Sequence, residues 1–198
     1  MEGKMEQIDF RKTIDRLREV GFFPMPEPMK IAIPNAKDVL WRGLNYFISS
    51  GSVWLPEYDE IASWLSDNRG RGLLCYGNCG RGKSLICWKI IPVLLHFYYK
   101  KIVSCYDAQQ MNADIDLVKR GHIIYIDDVG TENVSVKYGE RRMAFPELVD
   151  EAEKRGKLLI LTTNLSLDEI SQKYGERTMD RLVAITKPIK FKGVSLRK

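Results

Sequence analysis

The chain has 198 residues, 44% of them apolar, and a formal charge of +5 at pH 7. That length holds one domain, or one domain with an N-terminal appendage, and the apolar share is sufficient for a sizeable core. No apolar run reaches membrane-spanning length and the first residues, Met1 to Gln7, lack a signal peptide's apolar stretch, so a cytoplasmic protein with no membrane partner is expected. The modest positive charge is compatible with a polyanion partner without demanding one. Four cysteines (Cys75, Cys79, Cys87 and Cys105) and two histidines form neither a disulfide framework nor a zinc quartet, so free thiols are expected.

In chain order, Glu6 to Val20 reads as an amphipathic helix with Ile8, Ile14, Leu17 and Val20 on or near one face and Gly21 as its stop. Such a face packs on the protein's own core or, less commonly, docks on a partner. Phe22 to Pro28 carries prolines at 24, 26 and 28 and favours an extended linker. A second helix is expected from an Asn35 cap, with Val39, Leu40, Leu44 and Phe47 on its apolar side. A third runs from about Glu57 to Ser66 and buries Ile61, Trp64 and Leu65; Asp67 to Gly72 then turns the chain.

From Gly72 onward strand and helix patterns alternate, which predicts an α/β fold, a five-stranded parallel sheet with helices on both faces. The expected strands are Leu73–Tyr76, Ile102–Tyr106, Ile123–Ile126, Leu158–Thr162 and Ile189–Phe191. The expected helices are Lys83–Phe97, a short one near Ala113–Lys119, Phe145–Arg155 and a pair across Leu167–Leu182. Pro92 falls inside the first of these and should kink it. Residues 1–55 are read as a short helical N-terminal extension and residues 56–198 as the α/β domain.

The stretch Gly77 to Ser84 fits the phosphate-binding pattern G-x-x-x-x-G-K-[ST] at every fixed position. Gly77, Gly80 and Gly82 permit the tight turn that points consecutive amide N–H groups at phosphate oxygens. Lys83 supplies a point charge between the β- and γ-phosphates of ATP, and the Ser84 hydroxyl is a hard oxygen ligand for Mg²⁺. The apolar run before the loop reads as a buried strand, and Leu85, Trp88, Ile91 and Leu95 recur after it at helical spacing. Strand, glycine loop, helix is the context this chemistry requires. Gly77, Asn78, Cys79, Gly80, Arg81, Gly82, Lys83, Ser84 and the adjoining Leu85 are therefore the candidate nucleotide-binding residues.

Ile123 to Asp128 is an apolar strand that ends in two carboxylates. It places charge at the carboxyl edge of the sheet beside the phosphate loop. Asp127 is the candidate Mg²⁺ residue and Asp128 the candidate general base that polarises an attacking water. Leu158 to Asn164 repeats the arrangement with an amide at the tip. Asn164 either orients that water or contacts the γ-phosphate, or else serves as a cap or turn residue before the following helix.

Four segments in order, I-D-D-V-G-T-E, L-T-T-N-L-S-L-D-E-I, Y-G-E-R-T-M-D-R-L and F-K-G-V-S-L-R, resemble the DnaC/DnaI/IstB group of AAA+ ATPases. The likeness runs from roughly Tyr58 onward. It implies a lidless AAA+ P-loop domain in which Gly77 to Ser84 is Walker A, Asp127 with Asp128 is Walker B and Asn164 is the first sensor. It also implies that Arg177 and Arg181 belong to the segment bearing the arginine finger, Arg181 being the finger itself. Four residues apart, the two share one helical face. Arg197 resembles the arginine of the second sensor. The implied activity is Mg²⁺-dependent hydrolysis of ATP by an ATP-dependent homo-oligomer. The implied partners are a replicative helicase, or a transposase if the protein is a transposition helper, with single-stranded DNA as a further candidate. Two features depart from the group: a single short helix between the second and third strands, and an N-terminal region without zinc-binding cysteines. Asp128, one methylene shorter than the glutamate common at this place, also suits a nucleotide-gated adaptor that scarcely hydrolyses. A small-molecule kinase is the third class, which the paired arginines do not favour.

Overall fold

The computed structural model describes residues 8–22, 27–48, 51–132, 135–137 and 140–196. In chain order the elements are α1 (Phe10–Glu19), α2 (Ala36–Phe47), α3 (Pro56–Ser66), β1 (Gly72–Gly77), a π-helical turn (Leu85–Ile90), α4 (Ile91–Tyr99), β2 (Ser104–Asp107), α5 (Ala108–Ala113), α6 (Ile115–Val118), β3 (Ile123–Asp127), β4 (Ser135–Lys137), β5 (Glu140–Arg142), α7 (Ala144–Arg155), β6 (Leu158–Thr163), α8 (Leu167–Tyr174), α9 (Glu176–Ile185) and β7 (Thr186–Phe191). Five strands form one sheet in the order β2-β3-β6-β1-β7, every pair parallel. The expected five-stranded parallel sheet is present, and β4 with β5 adds a small antiparallel hairpin.

Alternate residues of each strand feed opposite faces, as the period of two dictates. Leu73, Cys75, Ile123, Tyr125, Leu158 and Ile160 belong to one core with α2, α3 and α4. Leu74, Ile124, Ile126, Leu159 and Leu161 belong to a second core with the helices from α5 to α9. Both faces are covered, which is why the strands read as continuous apolar runs. Gly72 is required by close packing: a Cβ there would overlap the Leu159 carbonyl of the neighbouring strand.

Several expectations are corrected. The apolar face of α1 does not pack on the core: the helix has no buried residue, and Ile8, Phe10, Leu17 and Val20 are exposed. Ile31, Ile33, Leu40 and Leu44, which precede residue 56, share a core with Ile61, Trp64 and β1. Asn35 is the N-cap residue of α2, as expected, but in a left-handed conformation (φ 50°) and without a side-chain capping bond. The helix after the phosphate loop contains a π turn in which the Ile91 N–H reaches the Ile86 carbonyl, and Pro92 follows that turn directly, at the second residue of α4. The short helix near Ala113–Lys119 is α6, and α5 was not anticipated, although Asp107 and Gln110 spell its capping box. The second strand begins two residues later than expected and the last one three residues earlier.

Candidate functional site

β1 lies between β6 and β7, so the loop that leaves β1 opens at the same carboxyl edge as the tips of β3 and β6. Gly77 (φ 105°) and Gly82 (φ 86°) adopt left-handed conformations and have no room for a side chain. A Cβ at the first would lie 2.5 Å from the Phe191 carbonyl, and at the second 2.5 Å from the Tyr58 hydroxyl. The loop curls around the Lys83 ammonium, which donates to the carbonyls of Gly77 (2.7 Å) and Asn78 (2.8 Å) and to Asn164 Oδ1 (2.9 Å). Burial pushes this ammonium below the ordinary lysine range, against the opposing pull of Cys79, Asp128 and Asp127.

The loop is braced from outside. The Asn78 N–H bonds to the Phe191 carbonyl (3.0 Å) and its side-chain amide to the Gly193 carbonyl (2.7 Å), while the Leu196 N–H returns to the Gly80 carbonyl (2.9 Å). Arg81 points away from the phosphate side. Its guanidinium is buried against Glu57 (2.5 Å) and the Val194 carbonyl (3.2 Å), which leaves the backbone as what this residue offers to the loop. Tyr58, its phenol pushed up to about 12 by burial, donates to the Arg81 carbonyl at 3.0 Å.

At the tip of β3 the two carboxylates take different roles. Asp127 Oδ1 accepts from Ser84 Oγ (2.8 Å), from Thr162 Oγ1 and from the Tyr125 hydroxyl, whose pKa burial raises. Asp128 sits in a left-handed conformation (φ 51°), costly for a residue with a Cβ, and is held there by its N–H on Thr162 Oγ1 (3.1 Å). Asn164 Nδ2 donates to Asp128 Oδ1 at 3.3 Å. α8 is capped by Ser166, in a capping box with Glu169, and the Asn164 side-chain amide lies between Lys83 and Asp128.

Cys79, Gly80, Gly82, Lys83, Ser84, Leu85, Asp128 and Asn164 line a cavity of 570 Å³, with Ile48, Val53, Tyr58 and Leu196 also in its lining. Its chemistry fits a nucleoside triphosphate: apolar side chains for a base, and a glycine loop with a buried cation for phosphates. The paired Ser84 hydroxyl and Asp127 carboxylate fit Mg²⁺, which takes few protein oxygens and completes its shell with water and phosphate. Among the described residues no cluster of three His, Cys, Asp or Glu side chains could hold a metal by itself.

The arginines are distributed unequally. Arg181 is tied within its own chain, in ion pairs with Asp150 and with Glu153 (3.1 Å) on α7. Arg177, one turn earlier on α9, is exposed. Arg197 lies outside the described residues. Sequence reasoning missed Glu57, Tyr58, Tyr125 and Thr162, which position the loop and Asp127 without touching the cavity's phosphate side. Only Thr162, on a strand tip beside the carboxylates, carried a signal that could have singled it out.

No family model matches the sequence, and no curated protein matches it. Solved structures do match the fold. A protein described as a primosome component from Streptococcus pyogenes serotype M3 superposes with a TM-score of 0.52 at 16% identity, over 84% of this chain and 88% of that one. The DnaC helicase loader gives 0.52 at 16% identity, over 81% and 93%. Domain III of the Thermotoga maritima replication initiation protein DnaA gives 0.52 at 17% identity, over 81% and 68%. At 16–17% identity this likeness shows a shared fold, the parallel α/β sheet with its loop after β1. Among the described residues no helix is long and apolar enough to cross a membrane.

Two outcomes follow from this geometry. Lys83→Ala removes charge-assisted bonds of about 1.5–3 kcal/mol each and should weaken ATP binding roughly 100-fold, measured by calorimetry on protein with an unchanged far-ultraviolet spectrum; unchanged affinity would refute the phosphate-loop assignment. The second concerns pH. The Arg181 hydrogen bond holds the Asp150 carboxyl below its ordinary value near 3.8. A depressed carboxyl pKa contributes stability that is complete above the unfolded value and lost as pH falls through the folded one. Arg181→Ala should therefore lower the urea midpoint at pH 7, with a deficit that shrinks progressively below about pH 4. An equal deficit at pH 3 and pH 7 would contradict the pairing.

Proposed function

We propose that this protein is a Mg²⁺-dependent ATPase that assembles with copies of itself on ATP and uses turnover to place or release a partner on DNA, a replicative helicase being the first candidate. The observation that carries the ATPase reading is the convergence of Lys83, Asn164 and Asp128 on one cavity from three separate segments. The fold shared with the DnaC helicase loader supports the loader reading.

In this reading the loop amides and Lys83 take up the phosphate oxygens, with Lys83 exchanging its loop carbonyls for them. Ser84 and Asp127 hold Mg²⁺, which when bound neutralises charge on the β- and γ-phosphates. Asp128 accepts a proton from the attacking water, and Asn164 fixes that water's position. Catalysis is then completed by a cation from a neighbouring protomer. Arg177 is exposed, whereas Arg181 must first leave its ion pairs with Asp150 and Glu153.

Specific ATPase activity measured against protein concentration tests this, with and without single-stranded DNA and a replicative helicase. The expected result is a per-molecule rate that climbs with concentration and climbs further with the partner. A flat rate indifferent to both would remove the assembly and loader readings and leave an isolated nucleotide enzyme or switch.

A further inference from the structure

Glu132 stands four residues beyond Asp128 and has no part in the phosphate site, yet its side chain is only 7% exposed. It accepts the Gly130 N–H (2.8 Å) and the Tyr174 hydroxyl, and Lys173 Nζ lies 3.8 Å away. Lys173 in turn donates to the Gly130 carbonyl and sits over the Tyr174 ring at 5.5 Å. The Tyr174 ring packs against Phe145 in the second core, its centroid 4.6 Å from that ring. A carboxylate so withdrawn from water requires this many partners.

The near end of the same segment is equally fixed. Thr131 donates its N–H (3.2 Å) and its hydroxyl (2.8 Å) to the Asp128 carbonyl. Gly130, at φ 104°, leaves no room for a Cβ beside the Leu165 side chain, and Leu165 follows Asn164 directly. Asp128 to Glu132 is thus one closed turn with the base at one end and a buried anchor at the other. The anchor's partners, Lys173 and Tyr174, end α8; only Gly175 (φ 89°) separates them from α9, which bears Arg177 and Arg181.

We infer that Glu132, held by Tyr174 and Lys173, is a positioning residue that couples the Asp128 turn to the arginine-bearing helix α9, so that the state of the nucleotide site and the presentation of the arginines to a neighbouring protomer change together. The coupling runs through a short contiguous set of bonds, and no part of it touches the phosphate loop. Because Glu132 lies off the cavity, its loss leaves the ATP contacts of Lys83 and the loop amides in place.

The test combines hydrogen exchange with kinetics, the kinetic arm resting on the ATPase reading above. In nucleotide-free protein, Glu132→Gln and, separately, Tyr174→Phe should raise amide exchange in both 128–132 and 175–181 and leave 77–84 unchanged. Exchange that rises in 128–132 alone would overturn the coupling. With ATP, both variants should lower kcat on the order of tenfold with KM nearly unchanged. Combining Glu132→Gln with Arg177→Ala should cost no more than the larger single loss, because both act through one step. Fully multiplicative losses would mean that Glu132 merely stabilises the fold. If the wild type hydrolyses nothing, the ATPase reading fails, while the exchange result still decides the coupling. Should Glu132→Gln not fold, Tyr174→Phe carries the same comparisons, since it removes one hydroxyl and keeps the ring.

Discussion

A charged ammonium taken out of water needs oxygen partners, and much of this site can be understood as the means of supplying them to Lys83. Two come from the loop's own carbonyls at Gly77 and Asn78, and the third from Asn164 at the tip of a different strand. That arrangement forces β1 and β6 to be neighbours with their carboxyl ends level, which the register of Tyr76 opposite Thr163 provides. It also ties the strand bearing Asn164 to the strand bearing the carboxylates, since Asn164 reaches Asp128 as well. The cation is thus held poised and desolvated, a condition in which its attraction for phosphate exceeds what it would be in water.

A loop of glycines gains the freedom to wrap phosphate at the cost of rigidity, and the surrounding chain restores it. α3 supplies Glu57 and Tyr58 from below, and the segment after β7 supplies the carbonyls of Gly193 and Val194 and the N–H of Leu196 from the side. The buried Arg81–Glu57 pair illustrates the division of labour. An arginine inside a phosphate-binding motif invites reading as a phosphate ligand, but here it is the fastening between loop, helix and C-terminal segment.

The parts legible in the sequence were those whose signal is local. Continuous apolar runs marked the buried parallel strands, and the spacing of glycines, Lys83 and Ser84 marked the loop. What could not be read were choices settled by tertiary contact. Asn164 has two local meanings, and only the fold shows Ser166 capping α8 and the Asn164 amide between Lys83 and Asp128. The ion pairs of Arg181 with Asp150 and Glu153 likewise join residues distant in sequence. The apolar stripe of α1 carries the same pattern as a core helix, and pattern alone does not reveal that its residues stay exposed among the described residues. α2 lies in a stretch read as an extension, and only the fold shows Leu40 and Leu44 in one core with β1.

The central claim is that the Lys83 loop and the Ser84–Asp127 pair form one site for a magnesium-bound nucleoside triphosphate. Calorimetric titration of ATP into the full chain, once with Mg²⁺ and once with EDTA, tests it most directly. The account predicts one site per chain that binds at least about tenfold more tightly with Mg²⁺. Equal affinity in the two buffers, or no saturable binding in either, would contradict it.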